Sequence, residues 1–146
     1  MPTIVVHDRI GFKEFDLEKL PENRCQARVV LVWPDGSEFT GTAQDEDSES
    51  GRLRCAVEAT VRTVERSVRG IMALRVQGVR TIEESNNNII VTLLSSELLG
   101  ETRPLVGSCL MREAPERSAA LSVLKATNRL LGNVIFTNRD ETRAET

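Results

Sequence analysis

The sequence predicts an α+β fold built from a duplicated β-β-β-α unit, a two-layer arrangement of antiparallel strands with two long helices on one face. Three observations lead there. Phe39-Thr40-Gly41-Thr42-Ala43 reads as apolar, any residue, glycine, hydroxyl, small, and Leu105-Val106-Gly107-Ser108-Cys109 repeats that pattern 66 positions later. A helical stretch follows each copy, and the two align at an offset of 63: Arg54, Ala56, Val61, Arg62 and Arg66 fall on Arg117, Ala119, Leu124, Lys125 and Arg129. A β-rich run precedes each copy, Gln26–Trp33 and Asn88–Leu94. The repeats span about 3–70 and 71–133 within one domain over 1–136, and the polar stretch 137–146 is expected to be a disordered tail.

Taken in order, Thr3–His7 is β-branched and suits a first strand, while Asp8–Asn23 reads as a turn and then an irregular or helical piece around Asp16–Leu20. Cys25–Trp33 alternates, with Cys25, Ala27, Val29, Leu31 and Trp33 on one face, which is the period of a strand. Pro34-Asp35-Gly36-Ser37 turns the chain, because proline presets φ and glycine accepts a positive one. Glu38–Ala43 returns as the partner strand. The acidic, hydroxylated Gln44–Ser50 suits a helix start, where serine caps free N–H groups and carboxylates oppose the dipole. The first helix should run to about Arg69, with Leu53, Val57, Thr60/Val61, Val64 and Val68 as its buried stripe and Gly70 as its stop.

Met72–Ile82 is extended, Glu83–Asn88 turns, Asn88–Leu94 is strongly β, Ser95–Thr102 connects, and Leu105–Met111 closes the second set of strands. Pro115 fits a first helical turn, and the second helix should reach Leu131, burying Ala119/Ala120, Val123/Leu124, Thr127 and Leu130/Leu131 before Gly132-Asn133 stops it. Val134–Phe136 reads as a short docking segment. A six-stranded sheet with two helices would leave edges that invite another chain, so a homodimer or an assembly with another protein is the expected partner.

Composition sets limits. At 146 residues with 40% hydrophobic and 28% charged residues, the chain matches a soluble globular protein, and at 3% aromatics its core must be aliphatic. A net charge of −3 gives no general attraction to phosphate backbones, so nucleic acid is not the default partner. The alternative would use Arg62, Arg66, Arg117, Lys125 and Arg129 as a basic stripe, diluted by Glu58, Glu65, Glu113 and Glu116, with only Trp33 and Phe39 available to stack on bases. Cys25, Cys55 and Cys109 form no C-x-x-C pair and read as reduced, buried thiols. An enzyme reading would rest on Cys109, beside Ser108, as a reactive thiol. No apolar run is long enough for a membrane span or a secretory leader, which leaves the cytoplasm by elimination.

No catalytic residues, cofactor or metal are expected. The single histidine, His7, reads as a solvent-facing strand end. Asp45, Glu46, Asp47 and Glu49 cluster as a hard cation would require, but the calcium-loop spacing fails at the glycine and at Ala56, so a solvated helix cap is the simpler reading. Gly41, Thr42, Gly107 and Ser108 are the candidate ligand-binding residues, lying at matched places beside two helix starts where N–H and hydroxyl donors could meet a small metabolite. The simpler reading is that each glycine lets a strand pass close beneath a helix.

The order β-β-β-α twice, the glycine-hydroxyl-small strand and the closing Ala126-Thr127-Asn128-Arg129-Leu130-Leu131 together resemble the C-terminal regulatory (leucine-binding, dimerisation) domain of the isopropylmalate and citramalate synthases. The resemblance spans roughly 24–133. It implies this architecture, a dimer, and a ligand pocket between the repeats. It does not imply the activity of the family's catalytic barrel, which has no counterpart here. The family's Gly-x-Gly-Pro loop is replaced by the acidic Gly41-Thr42-Ala43-Gln44-Asp45-Glu46-Asp47, which disfavours the carboxylate of a free amino acid.

Overall fold

In a computed structural model, which describes residues 10–112, 114–128 and 130, the chain is α+β. The first half folds as β1 (Gly11–Leu20), β2 (Arg24–Val32), β3 (Glu38–Glu46) and α1 (Glu49–Ser67). The second follows as β4 (Met72–Glu84), β5 (Asn87–Leu98), β6 (Glu101–Leu110) and a helix over residues 115–128, α2. The strands divide into two three-stranded antiparallel meanders, β1-β2-β3 and β4-β5-β6, rather than one six-stranded layer. Each helix packs on the sheet of its own half: α1 lies against β2 and β3, and Ser122 of α2 meets Thr92 of β5.

Several details recur at the offset read from the sequence. The β1–β2 turn carries positive φ at Glu22 and Asn23, and the β4–β5 turn does so at Ser85 and Asn86, 63 positions on. In both first strands the register slips by one residue opposite matched positions: between Phe12 and Glu14, against Leu31 and Val30, and between Val76 and Gly78, against Leu94 and Leu93. The β2–β3 connection turns through Pro34-Asp35-Gly36, whereas β5 and β6 run on to a two-residue turn at Leu99-Gly100, so the strand offset grows to 66.

β1 corrects the sequence-based expectation of an irregular or helical Asp8–Asn23. The extra residue at the bulge places Phe12 and Phe15 three apart and hides the alternation of a strand. No residue of β1 is fully buried, so its apolar signal is also weak. The expected strand Thr3–His7 lies outside the described residues, as do Val134–Phe136 and 137–146.

Ser48 caps α1, its hydroxyl accepting from Gly51 N–H at 3.0 Å, and the helix ends at Val68, two residues before Gly70. Eleven of its nineteen residues are buried, more than one sheet can cover. The second covering surface is β4, where the Glu65 carboxylate accepts from the Leu74 N–H at 2.8 Å. Reciprocally, α2 reaches into the first half: Asn128 exchanges hydrogen bonds with the backbone of Ile10, Arg117 lies 5.2 Å above the Phe12 ring, and Arg52 is 4.0 Å from Glu116. The two halves therefore share one aliphatic core, running from Ala27, Val29 and Leu31 through Val57 and Val64 to Ile90, Leu94 and Val123. Buried Thr60, Thr63, Ser122 and Thr127 satisfy their hydroxyls on carbonyls of their own helix, which permits polar side chains in that core.

Candidate functional site

Gly41 and Gly107 occupy the same position in their two units. A Cβ on Gly41 would stand 2.9 Å from Thr63 N and 3.0 Å from Ala59 O. One on Gly107 would overlap Ser122 O and stand 2.8 Å from Ala126 N. Ala59 and Thr63 fall on Ser122 and Ala126 at the offset of 63, so the same two backbone atoms of each helix press on each glycine. The space beside each glycine is thus filled by its helix. Thr42 and Ser108, next in each strand, are exposed. Each glycine faces the helix of its own unit, and no residue is common to the two recesses described next.

The first recess, about 430 Å³, is lined by Gly41, Thr42, Arg62, Glu65 and Arg66. Its cations are already engaged: Arg62 donates to the Thr42 carbonyl and Arg66 to the Thr40 carbonyl, both at 2.9 Å. β3 is an edge strand, so these guanidiniums satisfy carbonyls that would otherwise offer pairing to another chain. Each guanidinium keeps its charge and its remaining N–H donors. Arg129 lies outside the described residues.

The second recess, about 390 Å³, lies between the end of β6 and α2, and includes Cys109, Arg112, Ala114, Arg117, Leu121 and Lys125. Arg117, Leu121 and Lys125 form the outward stripe of a helix whose residues 118–128 are otherwise mostly buried. Sequence reasoning included Arg117 and Lys125 in its stripe but passed over Arg112 and Leu121. The signal was present in the repeat alignment, where Leu121 stands against Glu58.

The acidic segment before α1 is organised by arginines. Arg54 grips Asp45 through two bonds of 3.3 Å, and Arg52 donates to Asp47 at 2.9 Å. Partial burial works to raise the Asp45 carboxyl, but Arg54 and the Glu46 backbone N–H hold it below the ordinary aspartate value. Arg52 and Arg54 are both raised, each chiefly by its hydrogen bond to its aspartate. Among the described residues, no group of three or more His, Cys, Asp or Glu side chains is placed to hold a metal. His7 lies outside them.

The thiols differ. Cys55 is fully buried and hydrogen-bonded to Ala43 O at 3.0 Å; burial, with the neighbouring Cys25 next in effect, pushes its thiol up to about 12. Cys25 is buried as well, and Cys109 is half-buried at the mouth of the second recess. All three are free thiols.

The outer faces of the two sheets present a surface that sequence reasoning did not single out. On β4-β5-β6, the register aligns Ile82, Ile89 and Leu110 in one row, Arg80, Val91 and Ser108 in the next, and Gly78, Leu93 and Val106 in the third. Ile82, Leu93, Val106 and Leu110 remain 45%, 40%, 62% and 42% exposed, which makes this face an apolar patch on the surface. The run Ile89-Ile90-Val91-Thr92-Leu93-Leu94, apolar except at Thr92, is its mark in the sequence, since a strand facing water on one side should alternate. No helix among the described residues is long and apolar enough to cross a membrane. No protein-family model matches the chain, and no curated protein matches it.

Proposed function

We propose that the chain is a non-catalytic assembly module that pairs with a second copy of itself through the outer face of β4-β5-β6. The exposed Ile82, Leu93, Val106 and Leu110 on that face carry the reading, because soluble chains seldom leave such a patch uncovered. A second copy suits it. The exposed residues of the central strand are uncharged from Ile89 to Ser95, so two such faces can stack without burying like charges along their middle. With strands of about ten residues at roughly 3.4 Å each and three strands about 4.8 Å apart, each face offers about 500 Å². Two copies together reach the lower bound of about 1,000 Å² for a specific interface.

This agrees with what the resemblance to the synthase regulatory domain implies, a dimerising module with a small-ligand pocket. The family membership remains part of the proposal. An enzyme reading would rest on Cys109 alone, since Cys25 and Cys55 are buried.

Sedimentation tests the assembly. The full chain is expected to run at twice its monomer mass at micromolar concentration. Val106→Glu should return it to single-chain mass with its folded spectrum intact. Thr40→Glu, at the corresponding place on the other sheet, should leave the dimer unchanged. A wild-type monomer, or a Val106→Glu variant that stays dimeric, would refute this face as the interface.

A further inference from the structure

Of the residues lining the first recess only Arg62 has its counterpart, Lys125, in the second, whose other lining positions correspond to the stretch before Arg62 in the first unit; what separates the two stretches is charge. In the first unit Arg54 is bonded to Asp45, and Arg62 to the Thr42 carbonyl, with Glu58 on the same helix stripe and Glu65 in the recess. At the offsets already given, the cations persist as Arg117 and Lys125, but Asp45 becomes Met111, Glu58 becomes Leu121 and Glu65 becomes Asn128. Glu49, in turn, becomes Arg112. Acids are replaced at these four positions and a cation stands at one of them, while acids are gained at Glu113 and Glu116, where the first unit has Ser50 and Leu53.

The leftover charges converge. Arg112, Arg117 and Lys125 line one recess, and among the described residues no carboxylate lies within 4 Å of any of them. Glu116, the described acid nearest in sequence, approaches Arg52 instead. Arg117 is positioned by the Phe12 ring beneath its guanidinium, a contact that leaves its N–H donors free for an anion. Leu121 and Ala114 give the recess an apolar wall.

We infer that this recess binds a small organic anion, a carboxylate or phosphate on a short aliphatic body, with Arg112, Arg117 and Lys125 on the head group and Leu121 against the body. Its volume suits a ligand of that size. Leu110 belongs both to this recess and to the face proposed above to pair, so binding is measured in wild-type and Val106→Glu protein: retention in the variant separates the site from the pairing, and loss in a folded Val106→Glu monomer would overturn a site built within one chain.

Amide NMR titration of the full chain tests it, with hexanoate, acetate, hexanamide and inorganic phosphate as probes. Hexanoate should shift Arg112, Arg117, Leu121 and Lys125 saturably, with the uncharged hexanamide weaker by about tenfold or more. Acetate should bind more weakly than hexanoate, and phosphate binding at the same residues would assign the head group to phosphate as well. Arg117→Gln with Lys125→Gln, or Leu121→Glu, which restores the acid of the first unit, should each lower hexanoate affinity about tenfold. Lys125→Arg should retain it. Shifts scattered over the surface, or the same affinity in folded Arg117→Gln/Lys125→Gln protein, would overturn the site. Acetate binding as tightly as hexanoate would overturn the assignment of an aliphatic body.

Discussion

The two meanders share topology, bulge position and the conformation of their first turns, yet the corresponding outer faces differ in character. On β1-β2-β3 that face is polar: Arg28 bridges Glu14 and Asp16, Gln44 donates to Gln26, and Lys13 pairs with Glu38. Its apolar residues on β2 are Val30, which lies between Glu14 and Thr40 in the register and is buried, and Val32, which is half-buried beside Glu38. On β4-β5-β6 the corresponding positions hold Leu93 and Val106, both exposed. The edges diverge in the same sense, since β3 has guanidinium caps on Thr40 and Thr42. Inward residues must fill a shared core and are held by packing. Outward ones are free to diverge, and here one unit presents a polar, ion-paired surface while the other exposes Leu93 and Val106.

The sharpest test of this likeness is at the glycines, where the units should respond alike but unequally. Gly107→Ala would drive a methyl group into the Ser122 carbonyl, a backbone atom that moves only if α2 lifts from the sheet. Its expected loss is more than about 3 kcal/mol, beyond the usual range for overpacking. Gly41→Ala meets Thr63 N and Ala59 O at 2.9 and 3.0 Å, plus a side chain that can rotate, and should cost about 1–3 kcal/mol. Denaturant unfolding of both variants decides it. If Gly107→Ala were tolerated, the close approach would not be what the glycine serves, and the backbone equivalence of the units would fail with it.

These glycines were legible in the sequence because a close approach admits one residue type. The helix stripes were legible because α1 and α2 keep regular spacing: Leu53, Val57, Val61 and Val64 are all buried as expected. The inward face of β2, Cys25, Ala27, Val29 and Leu31, was legible for the same reason. β1 was not, because its bulge breaks the period and its charges outnumber its apolar residues. Nor was the division into two sheets, since alternation shows which face of a strand is buried and not which strand lies beside it. The binding residues were half visible. The glycine-hydroxyl pattern drew attention to a packing device, while the charge changes around the second recess emerge only when the repeats are compared position by position.

A second contrast lies inside the core. Thr92 and Ser122 form a buried hydroxyl pair at 2.6 Å, where the first unit has Val29 and Ala59 at the same offset. Thr92→Val removes that bond but leaves Ser122 donating to Ala119 O at 2.6 Å, so the loss should be modest, about 1 kcal/mol. Thr92→Val with Ser122→Ala copies the first unit and should cost less than the two single changes added together, because neither partner is left unsatisfied. A double-mutant cycle by thermal unfolding measures the coupling. Strict additivity would mean that the hydroxyl pair is incidental to the packing of α2.

The smallest expected effect concerns Asp45, the acid that the second unit replaces with Met111. Its carboxyl titrates below the ordinary aspartate value in the folded chain, so folding favours its ionised form. The resulting stability is present above the unfolded aspartate value and is lost as pH falls through the lower folded value. Asp45→Asn should therefore destabilise the protein at neutral pH, by less than about 1 kcal/mol because Arg54 is largely exposed. The difference should vanish in acid, where both proteins carry an uncharged side chain at this position, and should shrink with added salt. Arg54→Gln should show the same pH window, since both changes break one ion pair. If Asp45→Asn were destabilising by the same amount across the whole acid range, its value to the fold would lie in the bond to the Glu46 N–H at 2.7 Å rather than in charge, and the electrostatic contrast between the two units would lose one of its members.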